Sequence, residues 1–351
     1  MAMKKNKDNV PQTTLPTSVD SSDIDFYESI AALIKQARRS LERATNTVMT
    51  VTYFEIGRRI VEKEQQGEKR AKYGERILQG LSKHLTAQLG RGYSVDNLEL
   101  MRKFYNMYAD NISESLIRKF NPAISWTHYI QLMRIVDENE RRFYEIEIAE
   151  NNWTIREFQR QFNSSLYERL ALSRGKEKVL ELAQKGQVVD EPQDLLKEPL
   201  VLEFTGLPER SDYTETDLEQ KIINHLQQFI LELGKGFAFI GRQVRFTFEE
   251  ESFWVDLVFY NRLLRCFVLI DLKIGKLKHQ DIGQMLTYVN YYDRRVKLDD
   301  ENPTIGIVLC KDKKASLVEM MLPENNSQIF ASRYQTVLPS KKELKKLLDE
   351  S

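Results

Sequence analysis

Apolar residues recur every three or four positions through the first half of the chain, which is the spacing of amphipathic helices. The pattern predicts one helix over Ile24–Glu64 and, after a break at Gly67, a second over Tyr73–Leu89. Later helices are predicted to begin where a serine or threonine precedes a resumed apolar face, as N-cap residues do. These positions are Ser94, Ser125 and Thr154. The pattern therefore predicts a compact helical domain over residues 23–184, with room for a helix-turn-helix.

The pattern changes to short β-like runs in the last third of the chain. A helix is predicted over Asp217–Leu233, followed by a turn at Gly234 and Gly236. The predicted strands are Phe237–Phe248, Phe253–Tyr260, Arg265–Lys273 and Pro303–Cys310, with a helix over Gln280–Asp293 before the last of them. The order αβββαβ predicts an α/β domain with a mixed sheet over residues 207–351, ending in a short exposed helix at Ser340–Glu350.

Two segments lack a sustained apolar pattern. Residues 1–22 are rich in Lys, Asn, Thr, Ser and Pro and are expected to form a disordered tail. Residues 185–206 are punctuated by Gly186, Pro192 and Pro199 and are predicted to be a linker. The expected fold class is therefore α+β overall, with an all-α N-terminal domain followed by an α/β domain.

Composition limits the classes of function. The 351 residues include 52 basic and 52 acidic side chains, so the net charge argues against a protein that coats nucleic acid but permits a local basic groove. No apolar run approaches the ~18 residues of a membrane span and no signal-peptide core is present, so a cytoplasmic protein without a membrane partner is expected. Cys266 and Cys310 lie in apolar runs and are predicted to be buried without a disulfide.

Motifs for three common chemistries are missing from the sequence. There is no GxxxxGK[ST] or GxGxxG phosphate loop, no GxSxG, and no zinc-ligand spacing among the four histidines. Nucleotide hydrolysis, serine hydrolysis and zinc chemistry are disfavoured for this reason.

The segment Trp254–Lys273, WVDLVFYNRLLRCFVLIDLK, places charges inside two apolar runs. The runs flank a polar break near Asn261 and predict a β-hairpin. Charged side chains in core strands are costly unless they are paired or bind a metal. Asp271 and Lys273 share a strand face, and the hairpin brings Asp256 near Asp271 in a register that the sequence leaves open. This set indicates a hydrolytic metal site, and the alternative is an exposed charge pair at a frayed strand end.

Two helices beside the hairpin carry polar residues with two interpretations each. Glu219 either completes a capping box that starts at Thr216 or points toward the hairpin acids as a further ligand. Gln284 and Tyr288 are four residues apart and share a helix face. Gln284 either contacts the site or a phosphate, with Tyr288 in support, or is an ordinary polar residue beside a half-buried tyrosine.

Basic side chains offer contacts to a nucleic-acid backbone. Arg102 and Lys103 lie in the predicted helical domain, and Lys276 and Lys278 lie after the hairpin. A solvated surface is the alternative interpretation for each of them.

The chain resembles the PD-(D/E)XK nuclease superfamily through Asp256, Asp271-Leu272-Lys273 and Gln284-Met-Leu-Thr-Tyr288. The resemblance is closest to the bacterial YhcG-like group and extends over nearly the whole chain after residue 25. Stretches that look like this group include IGRRIVEKEQQGEKRAKYG and ISWTHYIQLMRI in the helical half and LGKGFAFIGRQVRF before the hairpin. The resemblance implies a restriction-endonuclease-like C-terminal domain after a helical N-terminal domain.

The resemblance also implies a role for each matching position. Asp256 and Asp271 match the two acids, and Lys273 matches the lysine. Glu219 matches the helix glutamate and Gln284 the motif glutamine. The implied cofactor is Mg²⁺, or Mn²⁺ in its place, bound by Asp256, Asp271 and Glu219.

The activity implied by the resemblance is metal-dependent hydrolysis of phosphodiester bonds in DNA, with RNA as the alternative substrate. Genome defence or control of mobile elements is the implied context. Two rival hypotheses are a non-catalytic DNA-binding or assembly protein with a vestigial nuclease fold and a nuclease that is active only with a partner subunit. A homodimer is also compatible with the sequence.

Overall fold

The structure is a computed structural model that describes residues 21–65, 71–109, 120–174, 179–209, 212–313, 318, 320–322 and 325–350. The predicted tail lies outside these residues except for its last two positions. The chain divides into two compact units, Met1–Trp126 and Thr127–Ser351. This division falls within the region that the sequence analysis assigned to one helical domain, and the domain boundaries drawn there stay a prediction.

The first unit contains the three predicted helices, which are α1 (Ser21–Gln65), α2 (Ala71–Leu89) and α3 (Val95–Tyr108). Ser94 caps α3, as expected, because its side chain accepts a hydrogen bond from the Asn97 N–H. The rings of Phe54 and Phe104 meet edge to face between α1 and α3. A Cβ at Gly57 would lie 2.1 Å from the Met101 carbonyl oxygen, so glycine at this position permits the close approach of the two helices.

The second unit is mixed. Its helices are α4 (Trp126–Leu132, which begins at the last residue of the first unit), α5 (Glu138–Asn151), α6 (Ile155–Asn163), α7 (Leu166–Arg174), α8 (Val179–Lys185), α9 (Glu215–Asn224), α10 (Leu226–Leu233), α11 (His279–Arg295) and α12 (Lys341–Glu350). Thr154 caps α6 in a capping box, which confirms the predicted start of this helix.

Six strands form one sheet in the described part of this unit. They are β1 (Leu200–Val201), β2 (Phe237–Phe248), β3 (Glu251–Asn261), β4 (Cys266–Lys276), β5 (Ile305–Asp312) and β6 (Ile329–Gln335). The spatial order is β1-β6-β5-β4-β3-β2. The β2–β3–β4 pairs are antiparallel and the others are parallel, so the sheet is mixed. A helical N-terminal region followed by a mixed sheet confirms the predicted α+β fold class.

Apolar side chains cover both faces of the sheet. On one face Ile270 belongs to the cluster that contains Phe229 of α10. On the other face Leu269 belongs to the cluster that contains Met285 of α11. Because successive residues of a strand alternate between faces, Asp271 follows Leu269 onto the α11 face.

A buried ionic cluster ties α6 and α7 to α10. The Arg169 guanidinium and the Glu232 carboxylate are fully buried and form an ion pair, and Arg160 lies 3.0 Å from the same carboxylate. Burial alone would raise the pKa of Glu232, but the three cations around it, Arg169 first, lower it to about 2. The third cation, Lys197, donates to the Glu232 carbonyl oxygen. Its burial lowers its pKa to about 7.

Three predictions about secondary structure need correction. The single helix predicted over Asp217–Leu233 is interrupted at His225, whose backbone is not helical (φ −124°, ψ 36°), so it forms α9 and α10. Strands β1 and β6 were not predicted, and β1 lies in the segment expected to be a linker. The C-terminal helix is not simply exposed, because Leu344 is buried and Lys341 lies 3.2 Å from the Glu168 carboxylate.

Candidate active site

The predicted hairpin is present and fixes the relation between the two acids. Strands β3 and β4 are antiparallel. Their pairing begins at the turn and ends with Leu257 opposite Ile270. The same register places Asp256 opposite Asp271. The two strands stop pairing at this point, and the Asp256 Oδ2 atom accepts the Leu272 N–H at 2.8 Å. The side chain of the first acid therefore takes a hydrogen bond from the backbone next to the second.

Asp271 is a buried carboxylate that is paired with a lysine. Its residue is only 2% exposed, and Lys273 Nζ lies 2.7 Å from its Oδ2 atom as an ion pair. Burial raises the pKa of Asp271 to about 7, with the nearby Asp256 and Glu215 acting in the same direction and Lys273 opposing them. The cost of burying the Asp271 charge therefore exceeds the stabilisation that Lys273 provides.

Lys273 lies on the same strand face as Asp271, as its two-residue spacing predicted. Burial would lower the pKa of Lys273, but the charge and hydrogen bond of the Asp271 carboxylate, together with the charges of Glu215 and Asp256, outweigh burial and raise it. Lys273 is therefore an ammonium group at neutral pH, which donates hydrogen bonds and cannot accept a proton.

Gln243 is a member of this constellation that the sequence analysis missed. Its side-chain nitrogen donates to Asp256 Oδ1 at 3.0 Å and also to Glu219 Oε2. The residue lies on β2 between the pairs Arg242–Leu257 and Val244–Val255, which places it opposite Asp256. The sequence around Gln243 does not indicate a functional role, because a single glutamine in a strand of alternating polar and apolar residues usually faces solvent.

Glu219 is buried in α9 and does not cap it. The structure corrects the capping box proposed for Thr216, because the cap is Thr214 and its N3 partner is Asp217. Glu219 lies two residues after Asp217 and takes no part in the cap. Its side chain accepts a hydrogen bond from Gln243. The alternative in which Glu219 points toward the acids of the hairpin agrees with this geometry.

Gln284 and Tyr288 form one hydrogen-bonded pair on α11. The Gln284 side-chain nitrogen donates a hydrogen bond to the Tyr288 hydroxyl oxygen. Tyr288 is buried with its ring edge-on to Phe246. Burial raises the pKa of Tyr288; the hydrogen bond with Gln284 opposes this rise, and the negative charges of Asp271 and Asp256 add to it.

The basic residues proposed for backbone contact occupy different surroundings. Lys276 is exposed with its ammonium 3.8 Å from Asp312, and Lys278 is an exposed residue at the start of α11. In the first unit, Arg102 forms an ion pair with Glu64 at 2.8 Å, and Lys103 is exposed on α3.

Among the described residues, no group of three or more His, Cys, Asp or Glu side chains is arranged to hold a metal. The candidate ligands are therefore the two carboxylates on β3 and β4. Both cysteines are buried and free of disulfide bonds, as predicted. No helix in the described ranges has the length and apolar character needed to cross a membrane.

Comparison with known proteins agrees with this architecture. Residues 193–349 match the YhcG PDDEXK nuclease domain, and residues 29–169 match the DUF1016 N-terminal domain. The chain is 38% identical over 345 residues to "Putative nuclease YhcG" of Escherichia coli (strain K12), covering 91% of this chain and 92% of that protein. A crystal structure of a repair endonuclease from Pyrococcus abyssi is 17% identical over 37% of this chain and 50% of its own length, with a TM-score of 0.24.

The two matched models together span both the helical region and the sheet that carries the acids. The relative from Escherichia coli is similar over nearly its whole length, so the likeness is not confined to a short motif. The chain therefore belongs to the YhcG family of PDDEXK-type nucleases, with a DUF1016 domain at its N-terminal side.

Proposed function

We propose that this protein is a Mg²⁺-dependent nuclease that hydrolyses phosphodiester bonds in DNA. The observation that carries the proposal is the placement of Asp256 opposite Asp271, with the Lys273 ammonium 2.7 Å from the second acid. Membership of a nuclease family supports the reaction class.

The two carboxylates fit a hard divalent cation. Mg²⁺ is usually held by one or two carboxylates, with water and substrate phosphate completing the octahedron, so a third acidic ligand is not required. The buried Asp271 carboxylate has a neighbouring acid, and its pKa is raised in spite of its ion pair with Lys273, so a cation bound here would stabilise its charge. Asp256 and Asp271 are therefore the proposed ligands, and Glu219 assists from α9. Mn²⁺ has the same preference for oxygen and is expected to substitute.

The residues around the pair have separate roles in the proposed reaction. When bound, Mg²⁺ supplies a Lewis acid and lowers the pKa of a coordinated water. Lys273 stays protonated, so it orients the water and stabilises negative charge that develops on the phosphate. Gln284 and Tyr288 form a polar pair at the edge of the site, where the exposed amide is available to a substrate phosphate.

DNA is proposed as the substrate because it is the usual substrate of the superfamily that the sequence resembles. Lys276 and Lys278 lie at the end of β4 and the start of α11, three and five residues after Lys273, and we assign them to the nucleic-acid backbone. Genome defence or control of mobile elements in the cytoplasm is the proposed context.

Cleavage assays test the proposal. The wild type is incubated with circular DNA, linear DNA and RNA in Mg²⁺, Mn²⁺ or EDTA, beside Asp271→Ala and the control Asp300→Ala, whose carboxylate is exposed and pairs with Arg265. We expect the wild type and Asp300→Ala to cleave DNA in Mg²⁺ or Mn²⁺. We expect no cleavage in EDTA or by Asp271→Ala. Equal behaviour of wild type and Asp271→Ala on every substrate would refute the proposal, and DNA binding retained by both would favour a recognition or assembly protein.

A further inference from the structure

Gln243 connects two acidic side chains that come from different elements. One side-chain nitrogen donates to Glu219 Oε2 on α9 and to Asp256 Oδ1 on β3. A primary amide has two hydrogens on its nitrogen, so these two bonds use its whole donor capacity. Both acceptors are carboxylate oxygens, and hydrogen bonds to carboxylates are stronger than bonds between neutral groups.

The amide also occupies the space between the two carboxylates. A cation shared by Glu219 and Asp256 would need both oxygens at about 2.0–2.1 Å, the distance that Mg²⁺ demands. The Gln243 nitrogen, with its hydrogens directed at both oxygens, excludes a cation from that position by volume and by the positive end of its dipole. Asp256 is left to share an ion with Asp271 on the other side.

The backbone at Gln243 is held in an uncommon conformation. Its φ of +47° lies in the left-handed region, which non-glycine residues on a strand rarely adopt. Such a conformation persists only where the surroundings determine it, and it is concentrated at functional sites. The side chain of the same residue makes the hydrogen bonds to Glu219 and Asp256.

We propose that Gln243 is a positioning residue that fixes Asp256 for a single metal ion shared with Asp271, and that Glu219 acts through Gln243 without binding the ion. This inference rests on the proposed function. One metal ion per active site is therefore expected. Glu219 accepts a hydrogen bond from Gln243, and for this role an acceptor oxygen matters more than the negative charge. Partners that orient metal ligands typically contribute 10–100-fold, an order-of-magnitude figure, to metal affinity or activity.

The experiment measures Mn²⁺ binding to the full chain by isothermal titration calorimetry and counts bound ions by electron paramagnetic resonance. Gln243→Leu removes the donor, Glu219→Leu removes the acceptor, and Glu219→Gln keeps an acceptor oxygen while removing the charge. The control is Gln220→Leu, which alters the neighbouring residue on α9 that is exposed and contacts Asn224 and Arg242.

We expect one Mn²⁺ per wild-type chain, and about 10–100-fold weaker binding for Gln243→Leu and Glu219→Leu. Glu219→Gln should stay within about threefold of the wild type, as should Gln220→Leu. Two ions per chain, equal losses in Glu219→Gln and Glu219→Leu, or unchanged affinity in Gln243→Leu would each overturn the inference while metal-dependent cleavage still supports the nuclease. A wild type that neither binds Mn²⁺ nor cleaves would remove both proposals.

Discussion

The Asp256 carboxylate accepts the backbone N–H of Leu272, 2.8 Å from Oδ2, so the first acid is fixed to the strand of the second. Leu272 lies between Asp271 and Lys273, and its own side chain is buried on the opposite face of the sheet. This hydrogen bond, together with the one from Gln243, holds the Asp256 carboxylate next to the strand that carries the other two charged groups. The bond to Leu272 forms where the pairing of β3 and β4 ends. The Leu272 N–H is free of strand pairing to β3 there and donates to the Asp256 side chain.

Replacement of Lys273 should separate catalysis from metal binding. Lys273→Met keeps the length of the side chain and removes the ammonium that stabilises developing charge. Loss of one such donor typically lowers kcat by about 10²–10³-fold. Single-turnover cleavage with saturating metal measures the effect, and Mn²⁺ titration checks that the metal still binds. Lys185→Met, an exposed lysine on α8, is the control; equal turnover in the two variants would contradict the assigned role.

Metal removal should abolish cleavage without unfolding the protein, because the described core contains no metal cluster. Mg²⁺ added to the chelated wild type should raise its stability by mass action, by about 2.7 kcal/mol at one hundred times the dissociation constant. Asp271→Asn should lose this increment, since it removes one of the two ligand charges. Thermal unfolding with and without Mg²⁺ measures the difference. An identical Mg²⁺ effect in Asp271→Asn would mean that the ion binds elsewhere.

The ionic cluster should be the most sensitive position in the helical part of the second unit. Arg169→Met leaves the buried Glu232 carboxylate short of a partner, and breaking a buried pair from one side typically costs about 3–5 kcal/mol. Arg142→Met removes a surface pair with Glu138 whose side chains are about half exposed. The expected cost of that change is below about 1 kcal/mol. Urea unfolding of both variants tests the contrast, and similar midpoints would show that the buried pair is replaceable.

Lys197 should make the stability depend on pH on the alkaline side. Burial lowers its pKa to about 7 in the folded state, against about 10.4 in the unfolded chain. Between these pKa values the unfolded state binds more protons than the folded state, so the free energy of unfolding rises with pH, by at most about 5 kcal/mol. Urea midpoints from pH 7 to 10 measure this rise. It should disappear in Lys197→Met and persist in Lys185→Met, and a slope that both variants share would assign it to other groups.

Two glycines near α11 should respond in opposite directions to the same substitution. A Cβ at Gly306 of β5 would lie 2.5 Å from the Met285 sulfur and 2.8 Å from a Val289 methyl carbon, so Gly306→Ala should cost about 1–3 kcal/mol. Gly283 lies in α11, and a Cβ added there would have no neighbouring atom within 4 Å apart from the adjacent residues and the backbone of its own helix. Gly283→Ala should therefore stabilise the protein by up to about 1 kcal/mol through helix propensity. Thermal unfolding of the two variants decides, and a stabilised Gly306→Ala would show that α11 can move away from the sheet.

Periodicity explains which parts of the site could be predicted. Asp271 and Lys273 share a face because side chains alternate along a strand, and this holds for any fold that contains the strand. The hairpin itself followed from two apolar runs around Asn261. The capping of α3 and α6 by Ser94 and Thr154 is equally local, because each cap bonds to residues within one turn.

Contacts between distant segments could not be predicted in this way. The Gln243 amide meets Glu219, 24 positions away, and Arg169 meets Glu232, 63 positions away. Neither glutamine nor arginine has a distinctive local pattern, so its partner depends on how the helices pack on the sheet. The capping-box interpretation of Glu219 was wrong for a different, local reason: the cap is Thr214, two residues earlier than Thr216, and a capping motif fits both frames of the sequence.

The sequence by itself determined the fold class, the hairpin and the common face of Asp271 and Lys273, since apolar periodicity and strand alternation are local properties of the chain. Tertiary structure decided the register that sets Asp256 opposite Asp271, the bridge made by Gln243 and the burial that raises the pKa of Asp271. These features depend on distances between segments that are remote in sequence, and such distances exist only once the segments pack together.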